Sequence, residues 1–306
     1  MVKPALTKPT SNTVCAVVAT RNSAEQLRNC LTALLAQTRL PDCILVVDNA
    51  STDDTARMLA SDFPQCERMS LGLNSGQTGA FRAGMQWMHC RHDFGWVWTM
   101  TDRLEPLPDC LQTMLSWQHA GDLIQLRKQT PSGLSVDEAF WDVESASLVQ
   151  TPRELGFANG RKWVPAQHCD LDGALTRRLV IERAGLPDPQ FFHGGGEAYG
   201  FVAALHSSVI RVDHLGAKST GAPVASPSAA LYLSIRNRFL TWEHLVKAGL
   251  PLDRSILVRR GLADGFAGIV RAARSGSNIH AALQGLRDGL YSRFDPPVWL
   301  IQDEPD

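Results

Sequence analysis

Cys43-Ile44-Leu45-Val46-Val47-Asp48-Asn49-Ala50-Ser51-Thr52-Asp53 is the stretch that decides the fold. Its first five residues are apolar and rich in β-branched side chains, the composition of a strand covered on both faces. The residues from Asp48 onward are polar and short, suited to a loop and to capping a helix expected over about 53–61. Upstream, Val14-Cys15-Ala16-Val17-Val18-Ala19 reads as a second buried strand, and Thr20-Arg21-Asn22-Ser23 follows it. Leu27, Leu31, Leu34 and Leu35 then repeat at helical spacing within residues 24–37, before Pro41 breaks the chain. This β-α-β-α order implies a parallel sheet with right-handed crossovers.

Downstream, Leu71 to Gly79 is a glycine-rich loop ahead of a helix over about 79–91. Trp96-Val97-Trp98-Thr99-Met100 is a further buried strand, ending at Thr101-Asp102-Arg103. A helix is expected over 109–118, then shorter strands and loops over 120–170. A helix from Leu175 to Ala184 is stopped by Gly185 and Pro187, and His193-Gly194-Gly195-Gly196-Glu197 opens another over 197–206. Val209 to Val212 reads as a strand before Asp213-His214. Residues 216–228 are rich in Gly, Pro, Ser and Ala and mark a boundary, beyond which the pattern is helical almost to the end. The expected division is a flexible N-terminus over 1–12, an α/β domain over 13–220 and a helical extension over 221–306. In an open parallel sheet, ligands bind at the carboxyl ends of the strands. The polar clusters 48–53, 74–79 and 101–103 all fall there.

Bulk composition excludes several classes. A 306-residue chain that is 44% hydrophobic can bury a substantial core, and its net charge of −1 argues against a general nucleic-acid binder. The seven cysteines form no CxxC pair and are odd in number, so a disulfide framework or zinc ribbon is not expected, and a reducing cytoplasmic setting is. No apolar leader is seen in MVKPALTKPTSN, and no run reaches the roughly 18 residues of a bilayer span.

The segments Val17 to Asn22 and Ile44 to Asp53 resemble family 2 glycosyltransferases of GT-A fold. The loop carrying Asn74, Gly76 and Gly79 is similar to the next block of that family. Trp98 through Pro106 stands in the slot of its DxD-type motif, and Asp172-Gly173, Arg177-Arg178 and Gly185 to Asp188 resemble the segment before its acceptor-side motif. Tyr232 with Arg236-Asn237 resembles a block of rhamnosyl- and galactofuranosyl-transferase members. The resemblance runs from about residue 13 to 290 and implies a GT-A α/β fold with a mostly parallel sheet plus a helical C-terminal extension. It implies an NDP-sugar donor held by Thr20, Arg21, Asp48, Asn49, Asn74, Gly79, Asp102 and Arg103. Arg236 and Asn237 would lie on the acceptor side. Asp48 would meet the base imide or ribose, while Asn74 and the glycines admit backbone close to the nucleotide.

Two departures bear on chemistry. The family usually carries paired acidic residues that hold Mg²⁺ or Mn²⁺, whereas this chain reads Thr101-Asp102-Arg103. One carboxylate is a poor divalent site, so no cofactor is assigned. Arg103 would instead put a fixed cation against the diphosphate, with surface exposure of Arg103 as the plainer reading. The family's aspartate base falls where this chain has Gly195-Gly196. That leaves Glu197 and His193 as candidate bases, though an acidic residue in a first helical turn also needs no function. His214 stands where some relatives ligate a metal, and with Asp102 it is the remaining metal candidate; a structural histidine is the alternative.

In the extension, Tyr232, Ile235, Phe239 and Trp242 keep helical spacing beside Arg236, Arg238, Arg259, Arg260, Arg271 and Arg274. Packing onto the α/β domain is one reading, and peripheral contact with the inner face of a membrane is the other. The sequence thus points to an inverting transferase acting from a UDP- or dTDP-sugar onto a glycan or lipid-linked hydroxyl. The rival is a non-catalytic homologue that binds a nucleotide sugar or a partner. No GxGxxG follows the first strand, which disfavours a dehydrogenase, and the lack of a basic activating loop disfavours a nucleotidyltransferase.

Overall fold

The computed structural model describes residues 12–91, 94–131, 133–134, 139–142, 147–150, 156–157, 160–167, 169–221, 226–250, 252–275 and 279–302. The expected flexible N-terminus lies almost wholly outside these residues. The chain opens with β1 (Val14–Thr20), α1 (Ala24–Leu35), β2 (Cys43–Asp48), α2 (Thr55–Asp62) and β3 (Glu67–Ser70), followed by α3 (Gly76–Arg91) and β4 (Trp96–Thr101). β1 is central, parallel to both β2 and β4, with Thr20 opposite Asp48 and Ala19 opposite Thr101. All its residues are buried because both faces are covered. Val14, Ala16 and Val18 pack with Leu27, Leu31 and Leu34 of α1. Cys15, Val17 and Ala19 pack with Phe81, Met85 and Met88 of α3. Apolar side chains on both sides of each strand explain the unbroken hydrophobic runs.

The second half adds β5 (Leu104–Pro106), α4 (Cys110–Ser116), β6 (Leu123–Thr130), β7 (Gly133–Leu134) and a separate hairpin of β8 (Ala139–Asp142) with β9 (Ser147–Gln150). It continues through β10 (Trp163–Pro165), β11 (Ala174–Arg177), α5 (Arg178–Ala184), α6 (Gly195–His206) and β12 (Val209–Ser219). The main sheet runs β10-β12-β6-β11-β4-β1-β2-β3. Two sequence expectations are corrected. Residues 174–177 are strand, not helix: β11 lies antiparallel between β4 and β6, where Ala174, Leu175 and Thr176 are fully buried, and the helix starts only at Arg178. The strand expected over Val209 to Val212 is also longer, because β12 runs on to Ser219 and pairs with β5.

The C-terminal part holds α7 (Pro227–Lys247), α8 (Arg254–Ser275), α9 (Ile279–Leu290) and α10 (Val298–Gln302). Ser226 caps α7 by accepting the Ala229 N–H at 3.2 Å, with Pro227 at the first helical position. α9 lies close on α7: a Cβ at Gly285 would stand 2.6 Å from the Tyr232 carbonyl oxygen. Tyr232, Ile235, Phe239 and Trp242 are buried, so they do not form a membrane face. Among the described residues, no helix is long and apolar enough to cross a membrane.

Candidate active site

The loops after β1, β2, β3 and β4 meet, as the parallel topology requires, and the Asn49 side chain ties the second of them to the third. Its amide nitrogen donates to Asn74 Oδ1 at 3.0 Å and to the Gly76 carbonyl at 3.2 Å. Its Oδ1 accepts the Ser75 N–H at 2.9 Å and the Ser75 hydroxyl at 3.0 Å. Asn74 Oδ1 in turn accepts the Gly76 N–H at 3.0 Å and so caps α3. Gly76 has φ +68°, and a Cβ there would lie 2.3 Å from the Phe192 carbonyl oxygen, so only glycine fits. Arg21 donates to the carbonyls of Asn49 at 2.9 Å and Ala50 at 2.6 Å, joining the first loop to the second. Asp48 Oδ1 accepts the Ser51 N–H at 2.9 Å. Asp48 therefore shapes this turn and does not line the cavity described below. Gly79 packs inside α3 against Ser75, also off the cavity wall.

At the end of β4, Asp102 Oδ2 accepts the Thr20 hydroxyl at 2.7 Å, and Arg103 Nε stands 3.9 Å from the other carboxylate oxygen. Burial raises the Asp102 pKa above the ordinary carboxylate value; the Thr20 bond and Arg103 oppose that shift and do not overcome it. Next door, Asp172 Oδ1 accepts the Thr101 N–H at 2.7 Å. Asp172 is raised by burial too, against the attraction of Lys128.

The fourth wall comes from the turn before α6. Phe192 has φ +63° and Gly194 is left-handed, so the chain reverses sharply around His193. His193 Nδ1 accepts the Gln77 N–H at 3.3 Å, which in a neutral ring puts the proton on Nε2. The Gly195 N–H donates to Thr78 Oγ1 at 3.2 Å. Glu197, in the first turn of α6, is exposed and lies outside the cavity lining.

These walls enclose a cavity of about 510 Å³. Of the sequence-expected residues, Thr20, Arg21, Asn49, Asn74, Asp102, Arg103 and His193 line it. The acceptor-side reading of Arg236 and Asn237 is corrected. Arg236 is fully buried and donates to the carbonyls of Phe294 at 3.1 Å, Gln190 at 2.5 Å and Phe191 at 3.1 Å. Asn237 donates to the carbonyls of Phe191 at 2.9 Å and His193 at 2.7 Å. The pair is a scaffold for the His193 turn. The metal reading is corrected as well: His214 Nε2 stands 3.0 Å from Asp109 Oδ2 and does not line the cavity. Among the described residues no group of three or more His, Cys, Asp or Glu could hold a metal ion. Asp102, with Thr20 and Arg103 against its oxygens, does not fit the role alone.

Sequence reasoning missed the roof. Trp299 and Leu300 of α10, with Ser226, Pro227 and Ala229 at the start of α7, complete the lining. Asn74 donates its amide to the Ile301 carbonyl at 3.3 Å, and the Trp299 ring meets Tyr232 edge-on at 5.4 Å. No local signal announces a contact spanning 227 residues.

Residues 15–138 match the model of glycosyl transferase family 2. Galactofuranosyltransferase GlfT1 of Mycolicibacterium smegmatis is 26% identical over 233 residues, covering 72% of this chain and 70% of that protein. The structure of S. aureus TarS 1–349 in complex with UDP superposes with a TM-score of 0.58 at 14% identity, over 92% of this chain and 82% of that one. The same fragment in complex with UDP-GlcNAc superposes with a TM-score of 0.55 at 13% identity, over 80% and 69%. These likenesses agree with the loops at the carboxyl ends of β1 to β4: residues 15–138 form a glycosyl transferase family 2 segment, set in a mixed α/β fold shared with these glycosyltransferase structures.

Proposed function

We propose that this chain is an inverting transferase that moves a sugar from a UDP- or dTDP-sugar to a hydroxyl of a glycan or glycolipid, without a divalent metal. The observation that carries the reading is Arg103 beside a lone Asp102 in a cavity that Arg21 and His193 also line. In a single displacement the acceptor oxygen bonds to the anomeric carbon while the bond to the diphosphate breaks. The leaving diphosphate gains charge, and fixed cations there stabilise that transition state. Asn49 and Asn74 frame the nucleotide end, Asp102 and Thr20 meet ribose or sugar hydroxyls, and Asp48 acts indirectly through its turn. The TarS complexes with UDP and UDP-GlcNAc support a uracil nucleotide as the first ligand to try.

Calorimetric titration of UDP, dTDP and GDP, each with EDTA and with Mn²⁺, tests the reading. One nucleotide is expected to bind with an affinity that ignores EDTA. Binding that needs Mn²⁺ would remove the metal-free part. No binding at all would favour a homologue that serves a protein partner. Trp299→Ala should weaken the nucleotide that binds by about tenfold, the scale of one lost aromatic contact. An unchanged affinity would leave Trp299 as a packing partner of Tyr232 alone.

Peripheral membrane contact belongs to the same proposal. Its support is on α8, where Leu262 and Phe266 are exposed alongside Arg259. Failure to sediment with anionic vesicles would remove it.

A further inference from the structure

Cys15 of β1 and Cys43 of β2 stand directly opposite each other on neighbouring parallel strands. Opposed residues of neighbouring strands lie about 4.8 Å apart, within the roughly 4.4–6.8 Å between Cα atoms that a disulfide spans. Both side chains turn to the α3 face: Cys15 packs in the cluster that holds Val17 and Phe81, and Cys43 packs against the same cluster. Their thiols share a hydrogen bond. The pair sits at the amino-terminal ends of the strands. Thr20, which lines the donor cavity, is five residues further along β1, about 16 Å away at about 3.3 Å per residue. Donor binding therefore does not explain the pair.

The two thiols differ in access. Cys15 is buried, whereas Cys43 is half-buried and meets solvent. The bond from Cys15 holds the Cys43 thiol below its ordinary pKa, against burial and Glu67. The same bond pushes Cys15 up, helped by burial and by the charges of Cys43 and Asp42. Cys30, Cys66, Cys110 and Cys169 are buried and raised by that burial. Cys90, on α3, is exposed. A solvent-reachable thiolate beside a second thiol is the arrangement that oxidants select.

We propose that Cys43 and Cys15 are a peroxide-reactive pair, in which Cys43 is oxidised first and Cys15 closes a reversible disulfide onto it. The inference stands apart from the transfer chemistry. The Cys43 thiolate attacks one oxygen of a peroxide, the O–O bond breaks, and the departing hydroxide takes up the proton Cys43 released. Cys43 is then a sulfenic acid. It carries no charge, so two of the influences that opposed ionisation of Cys15 are gone. The Cys15 sulfur attacks the Cys43 sulfur, the S–O bond breaks, and the leaving hydroxide takes the Cys15 proton. Two thiols are oxidised to a disulfide and one hydrogen peroxide is reduced to two waters. In a reducing compartment such a bond is transient, and thiol–disulfide exchange reopens it.

The test uses the full chain with Cys90→Ser, which removes the exposed thiol. One equivalent of hydrogen peroxide should lower the intact mass by two hydrogen atoms, and peptide mapping should place the link between Cys15 and Cys43. Dithiothreitol should restore both thiols. Cys15→Ser keeps a hydroxyl to donate to Cys43 but cannot close the bond, so peroxide should leave a Cys43 sulfenic acid that dimedone traps. Cys15→Ala removes the donor and should slow alkylation of Cys43 at neutral pH by about tenfold. An unchanged mass after peroxide would overturn the proposal. So would a link from Cys43 to Cys66 or to a second copy of the chain, or equal alkylation rates in the presence and absence of the Cys15 thiol.

Discussion

Arg236→Met is expected to cost about 2–5 kcal/mol of folding stability, at about 1–3 kcal/mol for each buried carbonyl left without a donor. Met fills the volume of the arginine stem, so a cavity is not the cause. The loss comes from the carbonyls of Gln190 and Phe294, which would face the interior without this donor, while the Phe191 carbonyl keeps Asn237. The guanidinium also stands 5.3 Å from the Tyr232 ring centroid, a contact that goes with it. Burial lowers the Arg236 pKa below its ordinary value, opposed chiefly by Tyr232. Urea unfolding of the two proteins measures the effect directly. Because Gln190 and Phe191 lead into the His193 turn, nucleotide affinity should fall in the same variant even where it remains folded. Unchanged stability would show that the carbonyls find water or rearrange, and that Arg236 does not brace the site.

Arg103→Ala is expected to weaken UDP or dTDP by about 10- to 100-fold, the range for losing a charge-assisted hydrogen bond. The discriminating comparison is diphosphate against monophosphate. If Arg103 faces the second phosphate, UMP or dTMP should lose much less than the diphosphate. Arg103→Lys should recover part of the loss, since a lysine supplies charge without the planar fork. Calorimetry with EDTA present measures all three variants under one condition. Equal losses for mono- and diphosphate would place Arg103 near the base or ribose, and no loss would end its role in donor binding.

Much of the first half of the fold was legible because its information is local. A buried strand is an apolar run of a few residues, a helix declares itself at its caps and by its spacing, and a parallel βαβ unit has one favoured hand. That is why Thr20, Asn49, Asn74, Asp102 and Arg103 fall at one end of the sheet on local pattern alone. The limit of this logic shows at Ala174–Arg177. The run Leu175 to Ala184 suits a helix, yet the open slot between β4 and β6 draws its first residues into the sheet. Pairing on both sides outweighs a local preference worth tenths of a kcal/mol per residue.

The roles of individual residues were decided at longer range. Arg236-Asn237 carried the look of a binding pair, but the chain folds it inward, because carbonyls 45 and 46 residues away need donors. Glu197 kept a carboxylate near the glycine turn in sequence, whereas the structure puts Asp170 against Gly196 itself. Trp299 and Leu300 reach the cavity from the far end of the chain. The amino-acid sequence determined by itself the buried strands of the first half, their parallel setting and the polar loops at their ends, since those depend on patterns a few residues long. Tertiary structure alone decided which carboxylate, which arginine and which aromatic ring face the cavity, since that depends on close packing between segments with no local trace of one another.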